Sequence, residues 1–129
     1  MENTDIIERL TGCWNSGRVA DLDDVLAANF VRHEPQLDGG TTGREDYKQT
    51  VHHLRSRLSE FRTESMDAVE QGNKIAFRFR TTGKHNNLAI VFEGVNILHV
   101  YNGKILEDWV FYDATGLQQK FARAQAASQ

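Results

Sequence analysis

The sequence predicts an α+β domain, with helices gathered on one side of a curved antiparallel sheet. Three observations predict it. Apolar residues recur at helical spacing through the first half of the chain. Through the second half they recur in alternating runs broken by turn residues. Two of those runs are joined by Asn102-Gly103, the strongest short-range hairpin signal a sequence offers. Helices segregated from an antiparallel meander define the class, and a curved sheet capped by helices encloses a natural pocket.

The elements follow in order. Ile6, Ile7, Leu10, Cys13 and Trp14 mark a first helix, behind Asn3 or Thr4 as a cap, with Gly17 placed to end it. Leu22, Val25, Leu26 and Phe30 suggest a second, shorter helix with Asp21 near its start. Gly39-Gly40 and Gly43 open a loop, and Tyr47, Val51, Leu54 and Leu58 then stripe a third helix whose polar face carries Arg44, Lys48, Arg55 and Arg57. Strands are expected from about Phe61 to Glu70, up to the turn Gln71-Gly72-Asn73, and then through Ile75, Phe77 and Phe79, which alternate with Ala76, Arg78 and Arg80. Leu88 to Tyr101 and Lys104 to Asp113 form the last two strands. A final helix runs from about Thr115 to Ala124, with Ala124 to Gln129 expected to fray.

With 129 residues and no repeat, linker or change of composition, the chain reads as one domain over 1–129. The net charge of −3, with both signs dispersed, argues against a nucleic-acid surface and against an anionic membrane as partner. The acidic start lacks the apolar run of a signal peptide, and no stretch approaches the roughly 20 apolar residues that span a bilayer. A single cysteine, Cys13, allows no internal disulfide, and it reads as a buried structural thiol. The expected location is the cytoplasm.

Several segments resemble the SnoaL-like polyketide cyclases, within the larger NTF2-like group. They are Phe30-Val31-Arg32-His33, Gly43-Arg44-Glu45, Asn73 to Gly83, and above all Phe92-Glu93-Gly94 through Asn102 to Asp113 and on to Gln119. The resemblance implies a cone of sheet covered by N-terminal helices and closed by a short C-terminal one. It also implies that an aspartate in the region of Asp113 removes a proton from carbon beside a carbonyl and that the enolate closes a ring by intramolecular aldol attack. Two departures stand out. Gly83-Lys84-His85-Asn86-Asn87 passes directly into Leu88 where the family has a longer loop, which reshapes the pocket mouth. Asp108 stands where the family commonly has histidine before the tryptophan.

The candidate catalytic residues are Asp113 and His99. Asp113 ends an apolar strand, with Trp109 and Phe111 at alternate positions on its face, and aromatic walls raise a carboxyl's pKa toward that of a useful base. An equal alternative is that Asp113 caps the last helix. For His99 the turn decides. A three-residue turn with Gly103 in a bulge puts His99 and Asp113 on one face, in a continuous apolar set of odd-numbered residues. Even so, the separation along the strand makes a satisfied half-buried histidine the better reading. The substrate-binding set is His33, Trp14, Phe30, Trp109, Phe111 and Tyr101. His33 follows a buried pair, at a position where the resemblance implies a pocket border, and is equally open to a structural role. His52 and His53 read as solvent-facing or packed. No pair of histidines or cysteines has chelating spacing, and no phosphate loop, nucleophile elbow or dinucleotide fingerprint is present, so neither metal nor cofactor is expected.

These readings converge on a cofactor-free enzyme acting on a small apolar carbonyl compound. The alternatives are a non-catalytic small-molecule-binding module, or an isomerase or hydrolase in the same pocket. A homodimer or homotetramer is expected, because the helices can cover only one sheet face. Leu98, Val100, Leu106 and Val110, beside Arg78 and Arg80, are the expected contact residues.

Overall fold

The structure is a computed structural model that describes residues 4–37 and 40–127. Helix α1 (Thr4–Ser16) buries Ile6, Ile7, Leu10 and Cys13 along one stripe. It stops at Gly17, whose φ of +74° only glycine adopts without strain and whose N–H returns to the Cys13 carbonyl. The cap expected at Asn3 or Thr4, and Gly39, lie outside the described residues or side chains.

The next segment departs from expectation. Only Val19–Asp24 is helical, as a short 3-10 turn, and Leu26–Glu34 is a strand, β1. Leu26, Phe30, Arg32 and Glu34 are its buried positions. An apolar spacing of four fits a helix or a strand's even positions equally well. Pairing with another strand decided it, and an irregularity between Leu26 and Val31 absorbs the mismatch. The expected loop is also partly a strand, β2 (Gly40–Gly43), which pairs with β1.

Helix α2 (Arg44–Arg57) buries Tyr47 and Val51 and leads through Leu58 into β3 (Ser59–Gln71), β4 (Lys74–His85), β5 (Leu88–Tyr101) and β6 (Lys104–Tyr112). Helix α3 (Ala114–Ala127) closes the described chain and is longer than expected, with Ala124 buried rather than frayed. The sheet order is β2-β1-β6-β5-β4-β3. All pairings are antiparallel except β1 with β6, which is parallel, so the meander carries an added pair of strands at one edge.

The β5–β6 turn has two residues rather than three. Asn102 and Gly103 both have positive φ (51° and 76°), the signature of a type I′ turn, and Tyr101 pairs with Lys104. The bulge lies further on, at Leu106, between the pairs Val100–Ile105 and His99–Glu107. The parity is therefore as anticipated: His99, Trp109 and Phe111 share a face. That face, however, is the outer one. The inner, concave face carries Asn96, Leu98, Val100, Asp108, Val110 and Tyr112 from β5 and β6, and Ile75, Phe77, Phe79 and Thr81 from β4.

Two apolar clusters fill the concave side. The larger joins α1, the 3-10 turn, β1 and α2 to Ile75, Phe77, Leu98, Val100 and Ile105. The smaller gathers Leu58, Ile90, Phe121 and Ala124 beneath α3.

Candidate active site

A cavity of about 410 Å³ lies between α1, α2, α3 and the concave face of the sheet. That is within the range of small-molecule sites. Trp14, Leu54, Phe61, Phe77, Phe79, Phe92, Leu117 and Phe121 form apolar walls. Trp14 is held by its indole N–H, which donates to Tyr47 Oη at 2.7 Å, and it stacks on Phe61. Phe79 and Phe92 meet edge to face, and Arg57 lies over the Phe121 ring, with its guanidinium carbon 3.7 Å from the centroid.

The polar groups converge on the floor. Arg32 and Glu34 point inward from β1, Asn96 from β5, Asp108 and Tyr112 from β6, and Tyr47 from α2. Tyr112 donates its hydroxyl proton to Glu34 Oε2 at 3.1 Å, and Arg32 Nη1 lies 3.3 Å from Glu34 Oε1. The parallel register sets Arg32 beside Asp108. The Asn96 amide nitrogen donates to both Asp108 oxygens, at 2.9 and 3.0 Å. Asp108 is 1% exposed and sits beneath the lining, covered by Asn96.

Burial pushes the Asp108 carboxyl up to about 6, with Glu34 adding to the rise, while Arg32, the Asn96 hydrogen bond and His33 oppose it. Burial likewise raises Tyr47, and it takes Tyr112 up to about 12 with help from Glu34, so both phenols remain proton donors. An apolar chamber over a carboxyl poised near neutrality, an arginine and a phenol has the parts for proton transfer at a polarised carbonyl.

Of the eight candidate catalytic and substrate-binding residues, the structure brings only Trp14 to the cavity. Phe30 is buried one layer behind, edge-on to Tyr47. Asp113 is exposed and does not line the cavity. Its Oδ1 accepts from the Gly116 N–H at 2.9 Å, capping α3, because the strand ends before Asp113 and the chain turns directly into the helix. His99 lies on the convex face, in register with Glu107 and Lys74. Trp109 and Phe111 are on the same face, 38% and 42% exposed, and Tyr101 is exposed beside the turn. His33 is there too, stacked on Trp109 with ring centroids 3.9 Å apart and Nε2 2.7 Å from Glu107 Oε2. One physical reason covers this convex set: the outward parity of the odd positions.

The floor residues Arg32, Glu34, Asn96 and Tyr112 were missed for the complementary reason, while Asp108 below them stood out only as a departure from the family pattern. Their signal was the alternation Phe30, Arg32, Glu34, legible once β1 is read as a strand. His53 was also missed. It lines the cavity from the α2 face that carries Thr50, Leu54 and Arg57. Among the described residues, no group of three or more His, Cys, Asp or Glu side chains is gathered that could hold a metal ion, and no helix is long and apolar enough to cross a membrane.

The family model of the SnoaL-like polyketide cyclases matches residues 4–121. No curated protein matches the chain. Among solved structures, a proposed polyketide cyclase from Bacillus cereus is 30% identical, with a TM-score of 0.82 over 91% of this chain and 78% of that one. Wild-type IdmH, a proposed polyketide cyclase from Streptomyces antibioticus, superposes at a TM-score of 0.82 with 20% identity, over 95% of this chain and 99% of its own. AclR, a proposed hydroxylase from Streptomyces galilaeus, superposes at 0.79 with 12% identity, over 93% and 91%. The last two likenesses are of fold.

Proposed function

The chain belongs to the SnoaL-like polyketide cyclase family, and we propose that it removes a proton from the carbon beside a carbonyl of a small apolar substrate, the enolate then closing a ring by intramolecular aldol attack. The observation that carries this reading is Asp108, a buried carboxyl raised to about 6 under an apolar cavity. As carboxylate it takes the C–H proton, and the C–H electron pair becomes the enolate. The enolate carbon attacks a second carbonyl of the same molecule, and the new alkoxide takes the proton back from Asp108. Atoms and charge balance without a redox partner or cofactor. Asn96 must swing aside to uncover the carboxyl, a rearrangement of the kind catalytic groups make between free and substrate-bound states.

The test is deuterium exchange at the α-carbon of 2-tetralone, followed by NMR. Wild type is expected to accelerate exchange over buffer, and Asp108→Asn to lose about 10²–10⁴-fold. Exchange undiminished in Asp108→Asn removes Asp108 from the mechanism. If Glu34→Gln is then inactive, Glu34 is the base.

The cover of Asn96 over Asp108 favours a second reading, a non-catalytic binder of small apolar molecules, for which wild type shows no exchange at all. In either reading the protein works in the cytoplasm as a homodimer, joined through the convex apolar face.

A further inference from the structure

Arg32 reaches the floor of the cavity from β1 with its side chain 9% exposed. A guanidinium stays charged in any folded protein, and burying it costs free energy unless its N–H groups are satisfied. Three of them are not, one on Nε and two on Nη1. Nε and Nη1 are buried without a hydrogen-bond partner. Glu34 Oε1, at 3.3 Å from Nη1, supplies an ion-pair contact but no aligned hydrogen bond. The Tyr47 ring lies 5.1 Å from the guanidinium carbon. Arg32 borders the cavity while these two nitrogens lie closed off just behind its wall, so a small shift of the side chain toward an acceptor in the cavity would relieve buried donors that have none.

We propose that Arg32 is the polar anchor of the cavity, and that the ligand it seats is electrically neutral and presents a carbonyl oxygen to the guanidinium. Charge decides between a carbonyl and a carboxylate. Glu34 and Asp108 already flank Arg32 with two carboxyl groups. A ligand carboxylate would crowd a further negative charge into the same low-dielectric floor, whereas a carbonyl offers the unpartnered donors an acceptor and adds none. Elsewhere the lining is mainly aromatic and aliphatic, so one oxygen orients an otherwise apolar molecule. The anchor deepens the proposed reaction, since the oxygen held by Arg32 is the one that becomes the enolate oxygen. The binding argument itself does not require the chemistry.

Calorimetric titration at pH 7.5 with three matched probes tests it: 2-tetralone, tetralin, and tetralin-2-carboxylate. Wild type is expected to bind the ketone about tenfold or more tighter than the hydrocarbon, the scale of one hydrogen bond to a charged donor. It should also bind the ketone tighter than the carboxylate. Arg32→Met is expected to erase the preference for the ketone over the hydrocarbon. Should that variant fail to fold, Arg32→Lys, which keeps the charge but moves the donor, is expected to lose most of the preference. Equal binding of ketone and hydrocarbon by wild type, tightest binding of the carboxylate, or a preference that survives in the folded variant would each overturn the proposal. A wild type that prefers the ketone but exchanges no α-protons keeps the anchor and loses the reaction. Exchange without the preference loses the anchor alone.

Discussion

Asp108 exposes the cost of a reactive group in a small core. An unfolded aspartate ionises near 3.9, while burial holds this one near 6. Below about pH 4 the group is protonated in both states and carries no penalty. As pH rises through 6 the folded protein must either ionise a buried carboxyl or keep its proton against the solution. Stability from this group is therefore full at low pH and lost on the way to neutrality, by roughly 3 kcal/mol for a rise of about two pKa units. The amide introduced by Asp108→Asn never ionises, and its oxygen can still accept from Asn96. The melting temperature of the variant relative to wild type is expected to climb between pH 4 and pH 7. A difference that stays flat across that window would mean the carboxyl is not strained by burial. The same titration puts the active, ionised form above about pH 6, so tetralone exchange should rise through that value.

Among the elements, α3 shows Asp113 in the second of its two expected roles, that of a cap. Asp113 spends its carboxylate on the Gly116 N–H at the start of a 14-residue helix whose Leu117 and Phe121 wall the cavity. Asp113→Asn keeps a good cap and is expected to change neither melting nor tetralone exchange appreciably. Asp113→Ala should cost about 1 kcal/mol in stability, read by denaturant unfolding. A loss of exchange in a well-folded Asp113→Asn would return the catalytic role to it.

Element type was legible wherever period and punctuation agreed, as in α1 with Gly17, α2, and the runs meeting at Gln71-Gly72-Asn73 and Asn102-Gly103. It was not legible at Leu26–Glu34. There the spacing was ambiguous, and the deciding contact with β6 lies more than seventy residues away in sequence. That one misreading hid Arg32 and Glu34. The shared face of the odd-numbered residues was readable, but which face turned toward the helices was not, because both faces of this sheet carry large apolar side chains. His33, His99, Trp109 and Phe111 therefore lie on the face opposite the cavity.

At the scale of the whole molecule, those outward residues pose their own problem. Val95 and Phe111, and Ile97 and Trp109, are directly cross-strand pairs on the convex face, each side chain roughly two-fifths exposed. Contiguous exposed apolar surface of this kind marks an interaction site. The residues first expected there are not available: Leu98, Val100 and Val110 are buried in the core, and Leu106 is half-buried. Arg78 and Arg80 do lie outward, ion-paired with Asp67 and Glu93 beside the apolar strip. A face holding an apolar centre flanked by both charge signs allows an isologous contact with a copy of itself turned through a two-fold axis. His33, stacked on Trp109 and bonded to Glu107, would fix the central ring of that contact. Wild type is expected to sediment as a dimer at micromolar concentration, and Trp109→Glu to sediment as a folded monomer, since a buried unpaired carboxylate at the centre costs more than a loose contact returns. The variant's cavity, on the opposite face, should still bind 2-tetralone. Wild type running as a monomer, or Trp109→Glu remaining dimeric, would place the contact elsewhere or remove it.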